Sequence, residues 1–487
     1  MTLPKNLTIK RFHKGLLAKQ FSALEVAQTY FALIKEKDRK IGAYLSLNEE
    51  GALRAAETVD IALGKGESLD VLAGVPLAIK DNILIEGLPA TAASKTLESY
   101  RASYDAHVIK KLKSAQAIFL GKTNLDEFAM GSSTENSGFQ ITRHPMDPKR
   151  VPGGSSGGSA AALRAHLCLA ALGSDTGGSI REPAGFCGVV GLKPTYGTVS
   201  RSGLIALASS LDQIGPLATT VSDSELLFHA ICGHDPLDAT SYPDASYRYH
   251  APSYQEMTQF TVGIPKEYFA TKLEPEVQTN IEGVIETLKR IGIRFKEVSL
   301  PHTKYALSAY YIILPAEASA NLARFDGIRF SRETRAESDV LYEIYRKQRG
   351  LFGSEVKRRI TLGTFVLSSG YYDAYYRKAQ QVRTLVKNDF SEAFREVDAI
   401  VAPTSPTLAF NIGEKTADPL EMYLSDIFTI PVNLAGLPAI SIPVRPASSE
   451  DERSASLPVG FQLIGKPFHE GDILGLGKLY EKLYGIE

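Results

Sequence analysis

Apolar positions along the chain follow two rhythms. Ser22 and Glu25 have the spacing of a capping box. After them Leu24, Ala27, Phe31 and Ile34 recur at helical intervals and predict a helix over 23–38. Short apolar runs bounded by Gly, Asp or Asn read as buried strands at 75–79 and 117–120, the second preceded by a helix-like segment at 107–114. Further strands are read at 399–401, 440–444 and 460–464, and one long tyrosine-rich helix over 365–390. This alternation predicts an α/β architecture with a substantially parallel or mixed sheet. The polar stretches 234–253 and 446–458 read as surface excursions from one domain, because strand signals resume after each.

Composition narrows the classes. The 54 Lys and Arg nearly cancel the 55 Asp and Glu, which argues against a chain that grips nucleic acid by itself. Cys168, Cys187 and Cys232 show no C-x-x-C spacing and read as reduced thiols rather than a disulfide framework or a zinc site. No H-E-x-x-H occurs, so no metal site is expected. No stretch reaches membrane-spanning length, because the apolar run 160–172 is broken by Arg164 and His166. Lys5, Lys10 and Arg11 precede no apolar run of signal-peptide length, and the expected compartment is the cytoplasm.

The chemistry concentrates in 151–184, where Gly153, Gly154, Gly157, Gly158, Gly177 and Gly178 flank Ser155, Ser156, Ser159 and Ser179. Glycine lets backbone approach a ligand closely, and successive N–H groups can converge on one anion. A flexible Gly/Ser linker is the plain alternative, but the run leads straight into the helical pattern 159–166 and an apolar strand. Gly153-x-Ser155-x-Gly157 satisfies a nucleophile-elbow pattern, yet the residues before it, with Pro148 and Pro152, make a poor strand. His166, His229 and His302 lie in no evident catalytic setting. Gly121-Lys122-Thr123 resembles the end of a P-loop, but Gln116 stands where its first glycine is required. Lys80 ends the apolar strand; a solvated charge or an ion pair with Asp81 is the ordinary reading of such a lysine. Burial without a partner would lower its pKa and make it a base for a hydroxyl.

GVPLAIKDN at 74–82, GGSSGGSAA at 153–161 and GSDTGGSIREPA at 173–184 resemble the amidase signature family, as do the segments 121–136 and 191–216. The resemblance implies one large domain over 1–487 with a mixed sheet covered by helices on both faces, and a catalytic core at about 74–216. It implies a Ser–cis-Ser–Lys triad with Ser179 as nucleophile, Ser155 as bridge and Lys80 as terminal base. The backbone N–H groups of Thr176, Gly177, Gly178 and Ser179 would receive the oxyanion, and the Gly154–Ser155 peptide would be cis. Ser156 and Ser159 are expected to support the loop, and Asp175 and Arg181 to anchor it. His144-Pro145-Met146 stands where the family often has Asn-Pro-Trp.

The segments 315–330, 355–385 and 431–443 resemble the A subunits of aspartyl/glutamyl-tRNA amidotransferases. That implies hydrolysis of glutamine to glutamate and ammonia. The ammonia would pass to a B subunit that uses ATP and Mg2+ to convert Glu-tRNA(Gln) to Gln-tRNA(Gln), with conversion of Asp-tRNA(Asn) left open beside it. A small C subunit would clamp these two together, the tRNA would be held mainly by the partner, and this chain would carry no cofactor. The region 300–487 would set specificity and partner contact. Arg359 would hold the substrate carboxylate, Asp426 its ammonium, and Tyr310 would line the pocket; Arg358 stands as the alternative to Arg359. Tyr371, Tyr372, Tyr375 and Tyr376 are expected on a helix packing face with partner contacts rather than as RNA-stacking rings. A free-standing amidase for small or fatty amides, and a non-catalytic interaction scaffold, are the competing readings.

Overall fold

The computed structural model describes residues 7–243, 249–250, 252–330, 340–444 and 457–486. Most of the expected excursion at 446–458, and part of that at 234–253, lie outside the described residues. The capping box forms as read, with Ser22 accepting from the Glu25 N–H and Glu25 from the Ser22 N–H, and it starts the helix Ala23–Ile41.

Among the described residues eleven strands form one mixed sheet: β1 (Tyr44–Leu47), β2 (Pro76–Lys80), β3 (Ile118–Thr123), β4 (Ala170–Asp175), β5 (Val190–Lys193), β6 (Gln213–Ala218), β7 (Thr261–Pro265), β8 (Arg294–Val298), β9 (Ala399–Pro403), β10 (Ala439–Pro443) and β11 (Gly460–Gly465). Their spatial order is β1-β3-β2-β4-β6-β5-β10-β11-β9-β7-β8. β2 lies between β3 and β4 and is parallel to both, so the carboxyl ends of β2 and β4 come out side by side. Parallel strands bind ligands beyond their carboxyl ends, and Lys80 and Asp175 mark that edge here.

Side chains of a strand alternate between faces. Along β9 Ala399 and Val401 join one apolar core, while Ile400 and Ala402 join another. The first core is roofed by helices that include Ala23–Ile41, Val221–Ile231, Pro275–Arg290 and Glu470–Lys482. The second is roofed by Ala306–Leu322, Ser354–Leu367, Lys378–Ala393 and Ile430–Ala435. Helices therefore cover both faces. No helix among the described residues is long and apolar enough to cross a membrane.

The single helix expected over 365–390 is corrected. Ser354–Leu367 ends at Ser368, and a π-helical turn at Tyr372–Arg377 leads into Lys378–Ala393. Ser368 turns its hydroxyl onto the Phe365 carbonyl, and Gly370 sits at φ 84°, so this Ser-Ser-Gly segment leaves the helical path. The tyrosines of the turn do not form a buried packing face. Tyr371, Tyr372 and Tyr375 are 41–46% exposed; Tyr371 and Tyr375 lean on each other and on Phe365, and Tyr372 leans on Tyr376.

Ala306–Leu322 and Ser354–Leu367 pack at backbone distance. Gly363 faces the carbonyl of Pro315, so closely that a Cβ at 363 would collide with it. Gly363→Ala must push backbone, not a flexible side chain, and is expected to cost about 1–3 kcal/mol, measured as a lowered thermal midpoint. Gly283→Ala is the control: its Cβ would meet nothing within 4 Å in the helix Pro275–Arg290, and it should stabilise by about 0.5–1 kcal/mol.

Candidate active site

Lys80 is fully buried at the end of β2. Its Nζ lies 2.8 Å from Ser155 Oγ, 2.8 Å from Ser156 Oγ and 3.2 Å from the Ser174 carbonyl. Burial pushes its pKa down to about 7, against the pull of Asp126, Asp175 and Asp212. A neutral amine is thus available near neutrality, poised to take a proton from a hydroxyl. Asp81 is not its partner. Successive strand residues face opposite sides, and Asp81 pairs instead with the buried Lys122 at 3.1 Å and accepts from the Thr91 N–H at 2.9 Å.

The Gly154–Ser155 peptide is cis. Ser156 and Ser159 fasten this loop to the sheet: Ser156 Oγ donates to the Ser174 carbonyl, and Ser159 Oγ meets Thr123 Oγ1 at 2.7 Å. Ser156 also donates its N–H to the Ser179 carbonyl at 3.0 Å, tying the two serine loops together. Glu182 does so a second time. Its N–H donates to the Gly178 carbonyl, and its Oε2 accepts from the Gly154 N–H, each at 2.8 Å.

Ser179 is 8% exposed, whereas Lys80, Ser155 and Ser156 are at 0%. It is the one member of this group of four with exposed surface. Among the described residues the N–H groups of Thr176, Gly177, Gly178 and Ser179 donate no hydrogen bond, which leaves four successive donors beside it. The Thr176 hydroxyl donates to Asp212 Oδ1 at 2.7 Å. No Ser155–Ser179 hydroxyl hydrogen bond forms among the described residues; the two serines are joined through Ser156 and Glu182.

Asp175 and Arg181 anchor the loop from below. Arg181 is fully buried and donates from Nε to Asp175 Oδ2 at 3.1 Å, from Nη1 to Gln462 at 3.0 Å and from Nη2 to the Thr429 carbonyl at 3.2 Å. Asn433 donates to Asp175 Oδ1 at 2.8 Å. Burial would raise the Asp175 carboxyl, but Arg181 beside it outweighs that and holds it below the usual carboxylate range. His144 is buried too, its Nε2 2.8 Å from the Phe186 carbonyl.

Two of the three substrate candidates, Tyr310 and Asp426, lie against the same loop. A Cβ at Gly177 would stand 2.5 Å from the Tyr310 hydroxyl, and one at Gly178 2.6 Å from Asp426 Oδ1, so both side chains touch the backbone next to Ser179. Asp426 accepts from the Ser132 hydroxyl through Oδ2, while its buried Oδ1 has no hydrogen-bond partner among the described residues. Burial pushes this carboxyl up to about 7. The structure separates the two arginines. Arg359 is 4% exposed and lies among Tyr310, Tyr311 and Tyr423; Arg358 is 48% exposed and lines an outward groove with Lys357, Leu362 and Phe365. Ser132 and Glu182 escaped the sequence reading, since no spacing links Ser132 to Asp426 or Glu182 to Gly154. Glu355 left a readable signal, four residues before Arg359 on a helix. Among the described residues no group of three or more His, Cys, Asp or Glu could hold a metal ion.

A family model described as Amidase matches residues 25–474. The chain belongs to the amidase family. It is 54% identical over 480 residues to the A subunit of the glutamyl-tRNA(Gln) amidotransferase of Carboxydothermus hydrogenoformans, covering 98% of this chain and 97% of that one. The crystal structure of the corresponding glutamyl-tRNA(Gln) amidotransferase A chain from Thermotoga maritima superposes with a TM-score of 0.80 at 42% identity, over 99% of this chain and 96% of that chain. A peptide amidase from Stenotrophomonas maltophilia gives 0.78 at 28% identity, over 98% and 97%. These amidase-family folds share the mixed sheet with helices on both faces described above.

The anchor is testable on its own. Asp175→Ala would strand a fully buried guanidinium, and breaking such a pair costs about 3–5 kcal/mol. A chemical denaturation midpoint well below that of the unaltered protein is expected.

Proposed function

We propose that this chain is the glutamine-hydrolysing component, the A subunit, of a tRNA-dependent amidotransferase. The observation that carries the reading is a buried carboxylate oxygen, Asp426 Oδ1, which has no partner among the described residues and lies against the loop that bears Ser179, with the buried guanidinium of Arg359 near enough to act on that carboxyl. One anion and one cation fit the α-ammonium and α-carboxylate of glutamine, and Tyr310 lies near both. The names of the relatives support the same activity.

In this mechanism Ser179 Oγ attacks the side-chain amide carbonyl of glutamine. Its proton passes through the Ser155 hydroxyl to the neutral amine of Lys80, 2.8 Å away. Ser179 turns toward Ser155 as substrate fills the pocket; catalytic hydrogen bonds often tighten only then. The free N–H groups of Thr176, Gly177, Gly178 and Ser179 hold the oxyanion, each such donor being worth about 10²–10³ in rate. The relay then returns the proton to the leaving nitrogen, the C–N bond breaks and ammonia departs. Water attacks the resulting γ-glutamyl ester by the same route and releases glutamate. Neither half of the cycle calls for a cofactor in this chain. The ammonia passes to a B subunit, which supplies ATP and Mg2+ chemistry and the main hold on tRNA, with a C subunit completing a cytoplasmic heterotrimer. Residues 74–216 act as the catalytic part of one domain over 1–487, and 300–487 as its specificity and partner-contact part.

Ser179→Ala is expected to abolish glutamine-dependent amidation by the assembled complex, while added ammonia still supports it. Retained glutamine use would refute the nucleophile. The pH dependence follows from the signs. Below about 7 Lys80 is protonated and accepts no proton, so kcat falls as pH drops through that value. Asp426 protonates in the same range, about 7, and loses its hold on the ammonium, so kcat/KM falls more steeply than kcat. Steady-state rates across pH 5–9 check both limbs, and Lys80→Ala should lose roughly 10²–10⁴-fold or more with its acidic limb gone.

A further inference from the structure

Arg359 does not stand alone in its pocket. Glu355, one helical turn earlier, is 7% exposed, and its Oε1 accepts from Arg359 Nε at 2.7 Å and from the Tyr423 hydroxyl at 2.8 Å. Its other oxygen is bound by Arg358. The Arg359 guanidinium carbon lies 5.3 Å from the centre of the Tyr311 ring and 5.6 Å from that of Tyr423, and these two rings stack at 3.7 Å with 19° between their planes. Burial would raise the Glu355 carboxyl, but Arg359 beside it prevails and keeps it below the usual range. The group stays ionised throughout the neutral range.

We propose that Glu355, steadied by Tyr423, is a positioning residue that aims Arg359 at the substrate's α-carboxylate and thereby sets selectivity for amides that carry one. The proposal rests on the reading of Arg359 as the carboxylate ligand and adds what makes it one. A guanidinium offers a carboxylate two edges for paired N–H···O bonds, one formed by Nε with a terminal nitrogen and one by the two terminal nitrogens. Glu355 takes Nε. Among the described residues the two terminal nitrogens donate no hydrogen bond, so the end-on edge is the one left open. The stacked rings fix the plane of the group, so little rotamer freedom remains to be lost when substrate binds. Glu355 also keeps the buried cation paired while the pocket is empty. Arg358 and Arg359 are thus not alternatives: they share one carboxylate, Arg358 from the outer groove and Arg359 from the pocket.

The test uses the assembled amidotransferase and two amides, glutamine and 4-aminobutanamide, which is glutamine without its α-carboxylate. Ammonia release gives kcat and KM for each. Glu355→Gln should raise the glutamine KM by about 10–100-fold, the span of one charge-assisted hydrogen bond, with kcat nearly unchanged. The constants for 4-aminobutanamide should stay as they were, which also shows that the variant is folded. Tyr423→Phe should move the glutamine KM in the same direction by less. An unchanged glutamine KM in Glu355→Gln, or equal losses on both amides, would overturn the positioning role. Failure of the underlying reading looks different: the unaltered complex would bind both amides equally well, and the proposal would fall with it.

Discussion

The amine of Lys80 is fully buried and, among the described residues, faces no carboxylate at ion-pair distance. A charge in that position is costly, and the protein meets the cost by letting the group lose its proton near neutrality. Three acids lie close enough to pull the other way, but each is occupied. Asp126 accepts the N–H groups of Thr134 and Asn136, Asp175 is engaged by Arg181 and Asn433, and Asp212 by Thr176 and the N–H groups of Leu207 and Ala208. Had any of them moved onto Lys80, the amine would stay charged and useless as a base. The interior is arranged as much to keep partners off this lysine as to give it two hydroxyls.

The same economy joins distant parts of the chain. The loop of Ser155 and the loop of Ser179 are held to each other by Ser156 and Glu182. Arg181 then reaches Gln462 on β11 and the Thr429 carbonyl, while Asn433 reaches back to Asp175. The last third of the chain is therefore fixed to the loop that bears Ser179. Asp426 gains its placement from the Ser132 hydroxyl and from the hold of Arg181 on the nearby Thr429 carbonyl rather than from proximity in sequence.

That division explains what could be read in advance. Features set by neighbours along the chain were legible: the capping box at Ser22, the strands around 75–79, 117–120 and 460–464, and the burial of Lys80 at the end of an apolar run. The serine loops and their cis peptide were legible through resemblance, which also named the substrate candidates, two of which lie against the Ser179 loop. The break at 368–371 was hidden because tyrosines keep helical spacing through it, while Ser368 and Gly370 decide the backbone. The pairing of Asp81 with Lys122, and of Ser132 with Asp426, depends on which strands and loops become neighbours, and no local pattern encodes that.

The contact between Gly363 and the Pro315 carbonyl has a bearing beyond packing. Tyr310 and Tyr311 ride on one of the two helices it joins, and Glu355 and Arg359 on the other. Main chain resting on main chain acts as a fixed gauge between them, with no side chain whose exchange could widen or narrow it gradually. Divergence toward other amides on this scaffold must therefore proceed by swapping groups on rails of constant separation, and the width of the slot is inherited rather than tuned.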